Sequence, residues 1–120
     1  MSGSKIILHN GVEIIFNDYS GLKTVDEVKN VVNQAAKIIQ NKKPNSVLSL
    51  ICFKNTHFNK QIISALQDAA KDNKPYIKAS AVFGVSGMGK IILDGVIKLT
   101  GRDLPTFNSE EAAKEYLVLK

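Results

Sequence analysis

The eight residues Gly84 to Ile91, GVSGMGKI, carry the sharpest chemical signal in the chain. Their spacing, G-x-x-x-x-G-K, is that of a loop whose backbone N–H groups cradle phosphate, and they follow an apolar strand-like run and open a helix-like one. The match stops at the eighth position. A nucleotide-hydrolysing loop needs Ser or Thr there to hold Mg²⁺, and Ile91 offers no oxygen. SVLSLICF carries no aspartate for the second metal position, which sets nucleotide hydrolysis aside. Without a metal, Ser86, Gly87, Gly89 and Lys90 would still hold an anion such as phosphate, sulphate or a carboxylate at a helix N-terminus. The plainer role of the glycines is a tight turn and close helix packing.

A second cluster is Thr56-His57-Phe58-Asn59. His57 could titrate near neutrality or polarise a bound group, but catalysis would need a nucleophile and an orienting acid within reach. Asp18 and Ser20 are the only candidates, so no residue is assigned to catalysis and the chain is not expected to be an enzyme. His9 reads as a solvated turn residue. With two histidines and one cysteine there is no adequate zinc ligand set, and no metal or cofactor is implied. Cys52, inside VLSLICF, reads as a buried packing residue. Lys23, Lys54, Lys60 and Lys90 fall in or beside three loops and would form a positive rim for an acidic partner, a small anion or a lipid head group.

Sixteen cations against eleven acids give a net charge of +5, yet Arg102 is the sole arginine and so the sole residue with a bidentate fork for guanine or phosphate. The lysines are scattered, without the basic stripe interleaved with aromatics that strand binding shows, so nucleic acid is not an expected partner. No apolar run reaches the roughly 20 residues of a membrane-spanning helix, and MSGSKIILHNG lacks the apolar stretch of a signal peptide. A cytoplasmic protein without membrane insertion is expected. A chain of 120 residues, 44% hydrophobic and 22% charged, has enough material for one core, and a single domain over 1–120 is expected, with residues 1–4 disordered.

The elements that must position these residues follow from the patterning. KIILHNGVEIIF places Asn-Gly between two β-branched runs, the strongest short hairpin signal. Thr24 with Glu27 forms a capping box before Val25, Val28, Val32, Ala35, Ala36 and Ile39 at helical spacing. SVLSLICF reads as a strand buried on both faces. Ile62, Ile63, Leu66, Ala69 and Ala70 mark a second helix, and YIKASAVF resumes strand character. Met88, Ile92, Gly95, Val96 and Leu99 mark a third helix, ending at Gly101. Leu104 to Phe107 can be only a short edge strand because Pro105 lacks a donor. Ser109 caps a last helix with Tyr116 and Leu117 facing inward. The order ββαβαβαβα demands parallel crossovers and a mixed sheet with one antiparallel edge. Ligands of such sheets bind beyond the carboxyl ends of the parallel strands, where Asp18–Lys23, Lys54–Lys60 and Gly84–Lys90 lie.

This order, with IIFNDYSGLKTVDEV, SVLSLICFKNTHFNKQII and NKPYIKASAVFGVSGMGKIILDGVIKLTGRDLPTFNSEEAAKEYL, resembles the STAS fold (sulphate transporter and anti-sigma-factor antagonist) in its small stand-alone SpoIIAA-like branch. The resemblance runs from Leu8 onward. It implies an α/β domain of about five strands and four helices, used as a non-enzymatic regulatory or protein-interaction module. In lipid-binding relatives of the same shape it implies a pocket for an apolar ligand. Antagonists that switch by phosphorylation carry Asp-Ser-Ser-Gly between the central strand and the next helix. Here Lys54 to Asn59 replaces it, and Thr56 is the only hydroxyl there for phosphorylation. The expected working edge is Tyr19, Ser20, Thr56, His57, Phe58, Ser86, Gly87, Gly89 and Lys90. The alternative is a carrier or sensor of a small anionic or lipid-like ligand at that edge. Apolar space between Phe53, Phe58, Phe83 and Met88 would suit such a ligand, and edge pairing or a helix face could make a homodimer.

Overall fold

The structure is a computed structural model and describes residues 2–120. Its elements run β1 (Gly3–His9), β2 (Val12–Asp18), α1 (Val25–Ile39), β3 (Val47–Cys52), α2 (Lys60–Asn73), a 3₁₀ turn (Lys74–Tyr76), β4 (Ile77–Phe83), α3 (Met88–Thr100), β5 (Thr106–Phe107) and α4 (Glu110–Val118). The hairpin closes through Asn10-Gly11 with φ of 52° and 76°, the paired positive values that match the twist of two-residue hairpins. The first strand starts earlier than expected. Gly3 and Ser4, assigned to a disordered terminus, pair with Asp18 and Asn17, and the Ser4 hydroxyl donates to Asn17 Oδ1 at 2.9 Å.

The five strands stand in chain order, β1-β2-β3-β4-β5, with β1 antiparallel to β2 and the rest parallel. When parallel strands advance in one direction, crossovers of one hand put their helices on one face. So α1, α2 and α3 share a core with Phe53 and Val82, while α4 alone packs Ala113 and Leu117 against Ile14, Leu50, Ala81 and Phe83 on the other side. Central β3 is nearly buried throughout, as its apolar run requires. A register shift between Val47 and Leu48 lets Ile77 and Ser80 both face the three-helix side.

Thr24 and Glu27 form the capping box of α1, and Gly101 closes α3 in the left-handed region at φ 70°. The phase of α3 differs from expectation. Gly89, Leu93, Val96 and Thr100 face inward, whereas Met88, Ile91 and Leu99 are exposed. MGKIILDGVIKLT is apolar around most of its circumference, so periodicity alone does not choose the buried side. Val31 in α1 and Ala65 in α2 are buried more fully than Val32 and Ile63, which are half-buried, Val32 packing against the core. His9 is not a solvated turn residue: it ends β1 and its Nε2 lies 3.3 Å from Glu115 and 3.9 Å from Glu111, tying the hairpin to α4.

Candidate binding site

The three loops do share the C-terminal edge. Tyr19 N–H donates to Cys52 O, Gly21 N–H to Lys54 O and His57 N–H to Leu22 O, each at 2.9 Å, while Phe53 N–H donates to Phe83 O at 3.1 Å. The Thr56 hydroxyl donates to Tyr19 O at 2.7 Å, joining the first loop to the second. Gly84 has φ of 80°, and a Cβ there would lie 2.8 Å from the backbone nitrogen of Lys54, so its glycine serves close loop approach. Gly89 is helical, and a Cβ on it would lie 3.1 Å from Val85 and 3.5 Å from Phe58. Two of the amides expected to cradle an anion are in use: Gly89 N–H donates to Ser86 O at 3.0 Å and Lys90 N–H to Gly87 O at 3.1 Å.

His57, Ser86, Gly87 and Lys90 are exposed, as are Lys23, Lys54 and Lys60. Asp18 is turned to the backbone of its own loop, accepting from Ser20 N–H at 2.9 Å, and so does not orient His57. The edge residues divide into two groups. Tyr19 and Phe58 point inward, where Tyr19 stacks on Phe53 at 5.3 Å and Phe53 meets Phe58 edge-on at 5.6 Å. Gly89 is buried beside them, Ser20 and Thr56 are half-buried, and His57, Ser86, Gly87 and Lys90 form an outer rim.

The inward group lines a crevice of about 70 Å³ between the sheet and the three helices. Its origin is side-chain size. Ala35 of α1, Ala69 and Ala70 of α2, and Gly89 of α3 face it with little or no side chain, and Ile51, Leu93 and Val96 do not fill the gap. Backbone spacing agrees, since α1 and α4 approach the strands closely whereas α2 and α3 make their close contacts with neighbouring helices. Of the set expected to enclose apolar space, Phe53 and Phe58 line the crevice, whereas Phe83 faces α4 and Met88 faces solvent.

The floor of the crevice is polar. Asn17 and Ser49, both buried, line it, and Asn17 Nδ2 donates to Ser49 Oγ at 2.9 Å. Asn73 lies at the α2 end, accepting from Gln40 Nε2 at 3.1 Å. Arg102 enters from the N-terminal edge of the parallel strands, only 7% exposed. Its Nη1 donates to Ala70 O at 3.0 Å and its Nη2 to Ser80 Oγ at 2.7 Å. No carboxylate among the described residues pairs with it. Burial lowers the Arg102 pKa from its ordinary value while Tyr19 partly restores it, and burial pushes the Tyr19 phenol far up, against the opposing pull of Arg102. Outside, Arg102 also borders a groove of about 290 Å³ with Lys74, Lys78 and Lys120.

Sequence reasoning singled out Arg102 for its fork but gave it no place, and it missed Asn17, Ser49, Asn73 and Ser80. The available signal was a single serine among apolar neighbours in each of two strands, Ser49 in VLSLIC and Ser80 in the ASAVF end of IKASAVF. A hydroxyl there is desolvated on folding and must find a partner.

A solved structure shares this architecture. The crystal structure of an uncharacterised protein of the DUF3478 family with a SpoIIAA-like fold, from Shewanella loihica PV-4, superposes with a TM-score of 0.77 over 98% of this chain and 95% of that one, at 12% identity. The fold is SpoIIAA-like. No protein-family model matches the chain, and no curated protein matches it significantly. Among the described residues of this SpoIIAA-like chain no helix is long and apolar enough to cross a membrane.

Proposed function

We propose that this SpoIIAA-like domain is a carrier or sensor that holds a small, mostly apolar molecule in the crevice between β2–β4 and α1–α3. The observation that carries the reading is the pairing of apolar walls with a buried arginine that has no acid partner. The guanidinium ties the end of α2 to Ser80, but two neutral hydrogen bonds do not supply the counter-charge that offsets the desolvation of a buried cation. The reading moves the ligand from the outer loop rim to the interior and assigns no catalytic residue. An engineered cavity of roughly 150 Å³ takes up benzene. The crevice, at about 70 Å³, therefore suits only a short chain unless α3 shifts outward.

The test is native mass spectrometry of gently purified protein. A reproducible small adduct, absent from an Ala69→Leu variant that fills the crevice, supports the reading. An adduct that survives Ala69→Leu removes the crevice as its seat, and a bare chain under gentle conditions counts against a carrier.

A second reading, a regulatory module that docks a partner protein, is favoured by the exposure of Met88, Ile91 and Leu99 on the outer side of α3. The inner side of the same helix lines the crevice through Gly89, Ile92, Leu93 and Val96. An occupied crevice would thus be felt on the outside. The Met88 methyl resonance is expected to shift when the crevice fills, and a Met88 signal indifferent to ligand separates the two roles.

A further inference from the structure

Among the groups around the crevice, Arg102 is the one able to choose between small apolar molecules by their charge. Resting on the interior-ligand reading, we infer that the ligand is a short-chain monocarboxylate, its tail against Ile51, Leu93 and Val96 and its carboxylate on the Arg102 guanidinium. A guanidinium has five N–H donors. Two are used, toward Ala70 O and Ser80 Oγ, which leaves three for a planar carboxylate that takes parallel, charge-assisted bonds.

No carboxylate among the described residues lies within ion-pair distance of the guanidinium. Beside the neutral Ser80 hydroxyl, Arg102 meets the C-terminal end of α2 through Ala70 O, and the partial negative charge of a helix end is about half an elementary charge. The Tyr19 phenol, neutral and lining the same crevice, is the titratable group that acts on it. On the outer side Arg102 borders the groove of Lys74, Lys78 and Lys120, where Asp103 is the only acid. Lys74 Nζ donates to Thr100 O at 3.4 Å and Lys78 Nζ to Lys120 O at 3.0 Å, so both amines are anchored at the groove. An anion arriving from that side meets a positive path that ends at the guanidinium. A neutral amphiphile would leave the buried charge uncompensated. A doubly charged phosphate would bring more charge than one arginine neutralises into a space of about 70 Å³.

The experiment titrates the isotopically labelled full chain with propanoate and with propanamide, its neutral isostere, both small enough for a crevice of about 70 Å³, at neutral pH, following methyl and amide resonances. Propanoate is expected to move Ile51, Leu93 and Val96 and to bind at least about tenfold more tightly than propanamide, the ratio a charge-assisted pair supports. Arg102→Gln should erase that gap and Arg102→Lys should keep part of it. Equal affinity of the two probes in the unaltered protein, or a gap that survives Arg102→Gln, overturns the carboxylate assignment while the crevice reading stands. Shifts confined to Lys74, Lys78 and Lys120 overturn it as well. Silence at the crevice with both probes overturns both readings. Should Arg102→Gln fail to fold, the comparison in the unaltered protein still decides.

Discussion

Burial acts on Tyr19 and Arg102 in the direction that disfavours the charged form of each, and the two respond to different tests. The Tyr19 phenol is neutral in folded and unfolded chains below its ordinary value of 10.0. Above that pH the unfolded chain ionises first, because the folded pKa is raised. Stability therefore declines as pH climbs from about 10 toward the folded value, and Tyr19→Phe should remove that part of the decline in denaturant titrations. Arg102 is tested by Arg102→Met. Arg102→Met regains the desolvation cost of the buried charge but leaves Ala70 O and the buried Ser80 hydroxyl without their donor. The thermal midpoint of the ligand-free variant is expected to fall by a few degrees and to be partly restored by adding Ser80→Ala; a fall of many degrees that Ser80→Ala does not relieve would make the arginine a strut between α2 and β4. At this scale the sequence displayed residue types without their orientation. Arg102 and Tyr19 stood out, but whether a loop tyrosine points in or out depends on Phe53 and Phe58, which reach it only after the sheet has formed.

The secondary-structure elements carry their own signals. Thr24 and Glu27 cap α1 from four residues of sequence, and Thr24→Ala should cost about 1 kcal/mol by chemical denaturation. Backbone and side-chain bonds from Lys23 and Thr24 hold the Glu27 carboxyl below its usual range, so its contribution is present above the ordinary glutamate pKa and fades as pH falls through the lowered value. Two glycines in one loop–helix unit should behave oppositely. Gly84→Ala forces a side chain into positive φ against Lys54 and should destabilise by roughly 1–3 kcal/mol, whereas Gly95→Ala, on a helical site with open space around it, should stabilise by about 0.5–1 kcal/mol. Turns, caps and strand order were readable because local chemistry decides them: Asn10-Gly11, Thr24 to Glu27, and Gly101 each act within a few residues. The buried side of α3 was not, because which of its two apolar sides turns inward is set by α2 and by what the crevice leaves unfilled.

Across the whole molecule the two faces of the sheet differ in tightness. α1 and α4 lie close on the strands, and α3 leans on α2 with the crevice beneath it. Local opening follows buried apolar contact. Amide exchange is expected to be faster in α3 than in β3 or α1, and a bound carboxylate should slow α3 selectively; uniform protection across the three would refute that ranking. The overall architecture was readable from the alternation of strand and helix patterns, whereas the crevice was not. It comes from small residues on three separate helices, Ala35, Ala69 and Gly89, that become neighbours only in the folded chain.

The strict succession of strands across the sheet bears on how the molecule comes into being. Each βα unit pairs with the one made just before it, so every strand docks on an edge already present and no strand waits for a distant pairing partner. A nascent chain emerging from its N-terminus can extend the sheet one strand at a time, with α4 sealing the opposite face last. Arg102 lies near the end of that sequence. The charged end of the crevice is therefore installed only after its apolar walls are standing.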